Sequence, residues 1–299
     1  MANGRVAVIG SFNTDIVLRL PRLPALGETL AAASLHRFAG GKGSNQAIAA
    51  ARAGATVTMI ASLGADADGD AALALWADEG VAARAARHPA LPTGTAVILL
   101  EGGDNRIILA PGANAALSAA DAAPPPCDVV LAQLEVPAEA VAAAFAAGGA
   151  RRVLNAAPAD PVAARRLLPL TDLLLVNEGE AQALAPEAGE DPAALARALA
   201  ARVGEGAVVT VGAGGAVLAL RDGALLHVPA PEVEVRDTTG AGDAFAGAFC
   251  AALAAGASHG DALRLGVAAG SLACTTLGAV PSLPRRAAIA ALAQEGLLT

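Results

Sequence analysis

The chain has 299 residues, of which 55% are hydrophobic, 2% aromatic and 16% charged, and its formal net charge at pH 7 is −8. The negative charge and the few aromatic side chains argue against nucleic acid as the main partner, because phosphates attract basic residues and bases stack on aromatic rings. The most apolar long stretch, 244–257, falls short of the roughly 20 strongly apolar residues of a spanning helix, so no membrane segment is predicted.

The chain starts with a short apolar run, 6–9, that ends at Gly10. A signal peptide has a longer apolar region, so this run predicts a strand that is buried on both faces of a sheet. The three cysteines, Cys127, Cys250 and Cys274, are an odd number without a CxxC pair or a metal-like cluster. These features predict a protein of the reducing cytoplasm.

Two segments, 15–38 and 95–110, have the pattern of exposed strands outside the main sheet. The second segment is interrupted at 101–105 by Glu-Gly-Gly-Asp-Asn, which predicts a hairpin turn at Gly102 and Gly103. Together the two segments are expected to form a small β-sheet over one edge of the main domain.

The rest of the chain alternates between apolar strands and helices. Strands are predicted at 5–10, 56–62, 129–133, 153–155, 173–176, 207–210, 216–220 and 225–228. Helices are predicted at 44–53, 70–79, 243–255 and 259–277, with further Ala-rich helical stretches between the later strands. This alternation predicts one α/β domain over 1–299, with a mostly parallel sheet and helices on both faces.

Polar residues stand where the predicted strands end. They are Asn13, Asp15, Gln133, Glu135, Asn155, Asn177, Glu180 and Thr210. In open α/β sheets, ligands bind outside the carboxyl ends of the strands. The sheet is therefore expected to present a polar site along one edge.

The segment 237–243, Asp-Thr-Thr-Gly-Ala-Gly-Asp, leads into a helix of small residues. Small residues let a ligand approach the backbone, and the unpaired N–H groups of a helix start bind anions such as phosphate. Without the neighbouring glycines, Asp243 would be explained as a carboxylate whose negative charge stabilises a helix N-terminus. Gly240 and Gly242 are unfavourable there unless something must come close, so the whole segment predicts a phosphoryl-transfer site.

Asp243 is the predicted general base of this site. A carboxylate near its reference pKa of about 3.9 is ionised at neutral pH and can accept the proton of a substrate hydroxyl. The backbone N–H groups of 240–242 would hold the charge on the transferred phosphate, because phosphoryl transfer asks the protein mainly for positioning and electrostatics.

Other phosphate-binding patterns are incomplete. The GxxxxGK[ST] loop is absent, because Gly43 follows Lys42 and His36 stands where the first glycine would be, and no GxGxxG follows the first strand. The glycine-rich run 212–215 joins two strands and is either a plain turn or a nucleotide contact. Lys42 is the only lysine among 20 basic residues, either through coding bias or because an ammonium is needed there.

Three segments resemble, in the same order, the signatures of the ribokinase family of sugar and nucleoside kinases. They are Gly-Gly-Lys-Gly-Ser-Asn-Gln at 40–46, Asn-Glu-Gly-Glu at 177–180 and Asp-Thr-Thr-Gly-Ala-Gly-Asp-Ala-Phe at 237–245. Segments 10–15, 111–115 and 133–135 are similar to those of the ribokinases within this family. The resemblance covers essentially the whole chain. It implies a ribokinase-like three-layer αβα fold, a lid made by the small sheet, and a homodimer joined through that lid.

The resemblance also implies a role for individual residues. Sugar hydroxyls would be bound by Asn13, Asp15, Gly41, Lys42, Asn45, Glu135 and the base Asp243. ATP would be contacted by Asn177, Thr210, Gly212, Gly214 and Gly215, and the anion hole would consist of Gly240, Ala241 and Gly242. Glu180 would help place Mg²⁺. A monovalent cation such as K⁺ would be held by Asp237, Thr239, Ala273, Thr276, Gly278 and Ser282, although an ordinary loop also explains that segment.

The implied reaction is the ATP-dependent phosphorylation of D-ribose at its 5-hydroxyl to ribose 5-phosphate. Fructose, deoxyribose or a nucleoside such as adenosine remains open as the acceptor, because a sequence does not give the size of the space under the lid. A non-catalytic sugar sensor and a nicotinamide enzyme are the alternatives from other classes. The joint presence of Lys42, Asn177, Glu180 and Asp243 argues against the first, and the missing GxGxxG argues against the second.

Overall fold

The computed structural model describes residues 3–102 and 104–295. Gly103, which the sequence places in the turn of the 95–110 hairpin, lies outside the described residues, as do residues 1–2 and 296–299. The strands form a nine-stranded sheet and a four-stranded sheet.

The larger sheet is mostly parallel, as predicted. Its strands are β1 (Arg5–Ile9), β4 (Thr56–Gly64), β5 (Ala82–His88), β8 (Val129–Ala132), β9 (Arg151–Asn155), β10 (Leu173–Asn177), β11 (Gly206–Thr210), β12 (Ala216–Leu220) and β13 (Leu225–Val228). They lie in the order β13-β12-β11-β10-β9-β8-β1-β4-β5. Neighbours from β11 to β5 pair in parallel, whereas β12 and β13 add antiparallel pairs at one edge.

Two hydrophobic cores, one on each face, hold this sheet between two layers of helices. In β1, Val6 and Val8 belong to one core, and Ala7 and Ile9 belong to the other, because successive side chains of a strand point to opposite faces. The first core includes residues of α1 (Lys42–Arg52), α2 (Ala67–Asp78), α7 (Ala241–Ala254), α8 (His259–Ala273) and α10 (Arg286–Glu295). The second includes residues of α3 (Ala138–Ala146), α4 (Pro161–Leu167), α5 (Glu178–Leu184) and α6 (Pro192–Ala200). The three-layer αβα prediction is confirmed.

The smaller sheet comes from the two segments that were predicted as exposed strands. Its strands are β2 (Asn13–Arg19), β3 (Ser34–Gly40), β6 (Gly94–Glu101) and β7 (Asp104–Ala110), in the order β3-β2-β6-β7. β2 begins four residues after β1 ends, so the small sheet is attached at the carboxyl end of β1 in the large sheet.

One helix prediction is too long. α8 ends at Ala273 instead of residue 277, because the next N–H groups bond three residues back in tighter turns and Gly278 takes a left-handed φ of 84°. The short helix α9 (Ala279–Ser282) follows. None of the helices within 3–102 and 104–295 has the length and apolar character needed to cross a membrane.

Candidate active site

The polar residues at the strand ends lie together at the topological switch point of the large sheet. From β1 the chain continues outward to β4 and β5, and from β8 it continues outward in the other direction, so the switch lies between β1 and β8. Ser11, after β1, donates a hydrogen bond through Oγ to the carboxylate of Glu135, after β8. Asn155, Asn177 and Thr210 end the next three strands. Ligands of open α/β sheets bind at this place.

Lys42 stands among carboxylates at the start of α1. Burial alone lowers its pKa, but the negative charges of Asp243, Glu135 and Glu180 outweigh burial, so the pKa of Lys42 is raised. Its backbone N–H also donates to Glu135 at 2.9 Å. The ammonium is therefore charged at neutral pH, and the cluster offers hydrogen-bond donors and acceptors side by side.

Asp15, in β2, is a carboxylate at this edge whose pKa is strongly raised. Burial, and then the charges of Glu135 and Asp243, raise its pKa to about 7. Hydroxyl donors of a bound sugar stabilise the charged form of a carboxylate. We therefore expect affinity for ribose to rise with pH up to about pH 7, by at most about tenfold per pH unit, and then to level off.

Calorimetric titration with ribose between pH 5.5 and 8.5 measures this dependence. The variant Asp15→Asn, which has no charge to titrate, should show weaker binding with a flat pH profile. A wild-type affinity that does not change over this range would contradict the assignment of Asp15.

Asp243 lies in the first turn of α7 and is only 8% exposed. Its Oδ2 accepts a hydrogen bond from Asn45 Nδ2, and its Oδ1 accepts one from Gln46 Nε2, both at 2.9 Å. Burial raises the pKa of Asp243 more than Lys42 and the two amides lower it. The expectation of a pKa near 3.9 is therefore wrong, because the sequence shows the helix start but not the side chains that enclose it. A raised pKa makes the carboxylate a better acceptor for a hydroxyl proton.

The start of α7 leaves backbone N–H groups open. Gly240 is the N-cap in the left-handed conformation (φ 80°), so no side chain caps this helix. In the described part of the chain, the N–H groups of Gly240 and Gly242 have no backbone acceptor, whereas that of Ala241 donates to Thr238 O at 3.2 Å. A Cβ on Gly242 would meet no atom within 4 Å, so the space beside it is open. Of the three predicted anion-hole donors, two are therefore free and one is engaged in a turn.

A cavity of about 240 Å³ connects this helix start to the strand ends. Residues that line it and that were predicted for the site are Lys42, Asn177, Glu180, Thr210, Gly240, Gly242 and Asp243. Of the remaining predicted sugar residues, Asn45 donates to Asp243, Glu135 accepts from the N–H of Lys42, Gly41 precedes Lys42, and Asn13 and Asp15 lie in β2 of the small sheet. In this region Gly41 has φ 87°, and a Cβ there would lie 2.7 Å from the backbone of Phe12 and Asn13.

A larger cavity of about 450 Å³ lies at the opposite edge of the sheet, near Asn3 before β1. Its walls are mostly small and apolar residues, with Asp261 and Arg286 as the charged ones, and it contains no predicted site residue. The smaller cavity has the charged groups and open N–H groups that chemistry on a phosphate requires, so it is the candidate active site.

The family of this chain follows from its similarity to known proteins. The family model described as pfkB family carbohydrate kinase matches residues 3–286. The chain belongs to this family. A ribokinase of Haemophilus influenzae is 36% identical over 294 residues, which cover 94% of this chain and 95% of the relative.

Solved ribokinase structures share the fold of this kinase. The ribokinase of Thermotoga maritima superposes with a TM-score of 0.87 at 31% identity, over 97% of this chain and 99% of that one. The ribokinase of Arabidopsis thaliana, solved in complex with ribose and ATP, superposes with a TM-score of 0.84 at 30% identity, over 98% of this chain and 99% of that one.

In this kinase, Asn177 and Glu180 form a capping box at the start of α5. Asn177 Oδ1 accepts from the N–H of Glu180 at 2.8 Å, and Glu180 Oε2 accepts from the N–H of Asn177 at 2.9 Å. These bonds hold both side chains at the cavity wall. Burial raises the pKa of Glu180, against the opposing effects of the Asn177 hydrogen bond and Lys42. One carboxylate oxygen of Glu180 remains outside the cap.

The glycine-rich turn 212–215 is placed differently from the other predicted ATP contacts. Thr210 lines the cavity, but Gly212, Gly214 and Gly215 do not. A Cβ on Gly215 would lie 2.0 Å from Val228 O, and His227 Nε2 contacts Gly214 O at 2.8 Å. Packing of the turn against β13 therefore explains Gly215, and a contact of this turn with ATP remains a prediction.

The predicted cation segment is held together by the carboxylate of Asp237. Its Oδ1 accepts from the N–H and Oγ1 of Thr239, and its Oδ2 accepts from the N–H of Gly278 at 2.8 Å. Burial raises the pKa of Asp237, but these hydrogen bonds outweigh it, so the pKa is lowered. Thr276 donates to Ala273 O, and Ser282 Oγ donates to Ala279 O. Asp237 thus joins the segment before α7 to the turn at Gly278, and Ala279 of that turn lies beside Gly240 at the start of α7.

Four side chains of the site were not assigned a role from the sequence. Gln46 donates hydrogen bonds to Asp243 and to Asn155, so Asn155 is linked to Asp243 through Gln46. Ser11 donates to Glu135. Asn114 Nδ2 donates to Phe12 O and to Asn13 Oδ1, and its Oδ1 accepts from the N–H of Phe12. Gln46 and Ser11 lie inside segments that carry the family resemblance, and Asn155 ends a strand. Their positions in the sequence could therefore have identified Gln46, Ser11 and Asn155 as site residues.

Proposed function

We propose that this chain catalyses the ATP-dependent phosphorylation of D-ribose at its 5-hydroxyl, giving ribose 5-phosphate and ADP. The observation that carries the proposal is the buried carboxylate of Asp243 in the first turn of a helix whose N–H groups open into a cavity. The similarity to ribokinases over nearly the full chain supports ribose as the acceptor.

In the proposed reaction Asp243 accepts the proton of the 5-hydroxyl while that oxygen attacks the γ-phosphorus of ATP. The bond between the γ-phosphorus and the bridging oxygen breaks, and ADP takes the electron pair. Open N–H groups at the start of α7 stabilise charge on the transferred group, and Lys42 adds a positive charge. The protein supplies position and electrostatics, and no covalent intermediate is needed.

The sugar would lie between the switch point and the small sheet. Asn13, Asp15, Asn45 and Glu135 carry carboxylate or amide oxygens, which suit the hydroxyls of a polyol. Asn45 Oδ1 is buried and has no hydrogen-bond partner among the described residues, which supports a role in accepting a substrate hydroxyl. The small sheet serves as a lid in this proposal.

Glu180 fits a role in placing Mg²⁺. No group of three or more His, Cys, Asp or Glu side chains suited to a metal ion occurs within the described residues. Mg²⁺ at nucleotide sites takes one or two carboxylates together with phosphates and water, so a single carboxylate oxygen at the cavity wall is sufficient. Bound Mg²⁺ neutralises charge on the phosphates.

The Asp237–Gly278 loops are proposed to hold a monovalent cation, which is supported by the carboxylate of Asp237 that bridges Thr239 and Gly278. In this proposal the carbonyls of Ala273 and Ser282 and the residues Thr239 and Thr276 complete the set. K⁺ would stabilise the loops beside the anion hole. Replacing K⁺ by Na⁺ in the assay should lower turnover, and equal rates would remove the cation from the proposal.

A homodimer through the small sheet completes the proposal. Leu35, Ile107 and Ile108 of that sheet are each about 60% exposed, which suits a surface that a second copy covers. Sedimentation velocity measures whether the dimer forms. The cytoplasmic location remains a prediction from the cysteine count, and the single-domain organisation remains one from the alternation of elements.

A substrate panel tests the proposed function. Purified protein with ATP, Mg²⁺ and K⁺ is assayed against ribose, deoxyribose, fructose and adenosine by coupled release of ADP. We expect the highest kcat/KM with ribose and a product that nuclear magnetic resonance identifies as the 5-phosphate. Strong turnover of adenosine or fructose with none of ribose would reject ribose, and binding of ribose without any turnover would favour the sugar sensor.

A further inference from the structure

Three amide side chains, of which Gln133 and Gln46 are fully buried and Asn155 is partly buried, are joined by hydrogen bonds to Asp243. Gln133 Nε2 donates to Gln46 Oε1 at 2.6 Å, and Gln46 Nε2 donates to Asp243 Oδ1 at 2.9 Å and to Asn155 Oδ1 at 2.8 Å. Gln46 and Gln133 are both fully buried, so neither side chain is expected to touch a ligand. We refer to Gln133, Gln46 and Asn155 as the amide relay.

The orientation of each amide in the relay follows from its acceptors. Asn155 Nδ2 donates to the carbonyl of Leu175, so Asn155 Oδ1 faces Gln46. Gln46 then has two oxygen atoms on one side, Asn155 Oδ1 and Asp243 Oδ1, and must present its NH₂ group to both. Its Oε1 is therefore directed at Gln133, which must donate in turn.

One polar atom has no partner as a result of this orientation. Gln133 Oε1 is buried without a hydrogen bond among the described residues. A Cβ at Gly10 would lie 2.2 Å from it, so the atom faces the backbone of the chain after β1 and has no room for a side chain beside it. Leaving a buried acceptor unpaired is unfavourable. If the Gln133 amide were flipped, its oxygen would face the oxygen of Gln46 and the hydrogen bond between them would be lost. The unpaired Gln133 Oε1 is therefore a consequence of the orientation that keeps Gln46 fixed.

We propose that Gln46 is a positioning residue for the base: its amide, oriented by Gln133 and Asn155, holds Asp243 Oδ1 in place and keeps it as an acceptor. Asn45 holds the other oxygen of the same carboxylate, but Asn45 adjoins the sugar site, whereas Gln46 is sealed from it. Gln46 thus meets the cavity only through its hydrogen bonds to Asp243 and Asn155. This inference rests on the proposed function.

Other charged groups around Asp243 also influence its pKa and must stay unchanged in a test by pH. Lys42 of α1 lowers its pKa, and Glu135, after β8, raises it. Asp15 of β2 interacts with Asp243, and Glu180 of α5 acts on Lys42. None of these residues belongs to the relay, so a substitution in the relay leaves all of them present.

The test compares wild type with Gln46→Met, which keeps length and burial but removes both N–H donors. A hydrogen bond to a carboxylate favours its charged form, so its loss should move the acid limb of the kcat–pH profile upward by about one pH unit. Turnover at the alkaline end should return towards wild type, and KM for ribose should stay within about threefold. Gln133→Met should move the limb in the same direction by less, because Gln46 loses its orienting donor.

The matched control is Thr171→Val, which removes a buried hydrogen bond from Thr171 Oγ1 to Leu167 O at the opposite edge of the sheet. It should lower the melting temperature without moving the acid limb. An unmoved limb in folded Gln46→Met overturns the proposal, and if that variant does not fold, an unmoved limb in Gln133→Met overturns it. Wild-type protein without ribose turnover at any pH would instead reject the proposed function, so the two failures are distinguishable.

Discussion

Replacing Asp243 by asparagine should lower turnover of ribose by at least about 10²-fold while ribose and ATP still bind. Asparagine has the shape of aspartate but cannot accept the hydroxyl proton. The surroundings can adapt, because Gln46 Nε2 still finds an oxygen and the unpaired Asn45 Oδ1 can turn to accept from the new amide. Initial rates with saturating substrates, together with calorimetric titration of each ligand, separate loss of chemistry from loss of binding.

The same variant should not lose stability at neutral pH. Burial raises the pKa of Asp243 in the folded state, so its charged form is unfavourable there, and this cost is present above the folded pKa and disappears as pH falls below the unfolded value. A neutral asparagine avoids the cost. Unfolding in urea at pH 7 should therefore give a midpoint equal to or above that of wild type.

A matched control exists in the next long helix. Asp261 is the third residue of α8 and follows Gly260, as Asp243 is the third residue of α7 and follows Gly242. Asp261 is exposed and pairs with Arg264. Asp261→Asn should keep wild-type turnover. If both variants retained near-normal turnover, Asp243 would not be the base and its place would be that of an ordinary first-turn carboxylate.

The parts of the site that follow from local pattern could be predicted from the sequence. Strand ends are visible as polar residues after apolar runs, and parallel pairing brings them to one edge. Gly240 and Gly242 indicated a ligand site at the helix start, because glycine lowers helix stability there unless a ligand must approach the backbone. The structure adds that Gly240 adopts a left-handed backbone conformation, whereas the space beside Gly242 is open to a ligand.

What the sequence could not provide depends on neighbours that are distant along the chain. Strand β5 was not predicted, because its Ala- and Arg-rich segment has no strand pattern and forms by pairing with β4 at the sheet edge. The raised pKa of Asp243 and the relay through Gln133 and Gln46 require residues more than 80 positions apart to meet. The outward placement of the 212–215 turn follows from packing against β13.

The ion pair between Arg52 and Glu79 should be the most sensitive polar contact for stability. The two side chains are 12% and 13% exposed, and Arg52 Nε donates to Glu79 Oε2 at 2.9 Å. Arg52 Nη1 also donates to the carbonyls of Val280 and Leu283, so α1, α2 and the turn after Gly278 meet at one guanidinium. Glu79→Gln removes the charge that compensates a largely buried cation, and we expect a loss of about 3 kcal/mol, the low end for a buried pair, in the free energy of unfolding.

Exposure and pH distinguish this pair from an ordinary surface contact. The Arg166–Glu139 pair has a similar distance, 2.8 Å, but its side chains are 59% and 64% exposed, so Glu139→Gln should leave the urea midpoint essentially unchanged. The hydrogen bond from Arg52 holds the pKa of Glu79 below its usual range. The stabilisation is therefore present above the unfolded pKa of Glu79 and is lost as pH falls through its folded pKa. The urea midpoints of wild type and Glu79→Gln should therefore converge towards acid pH. Equal losses in Glu79→Gln and Glu139→Gln would mean that burial does not strengthen the pair, and that the turn after Gly278 is held by other contacts.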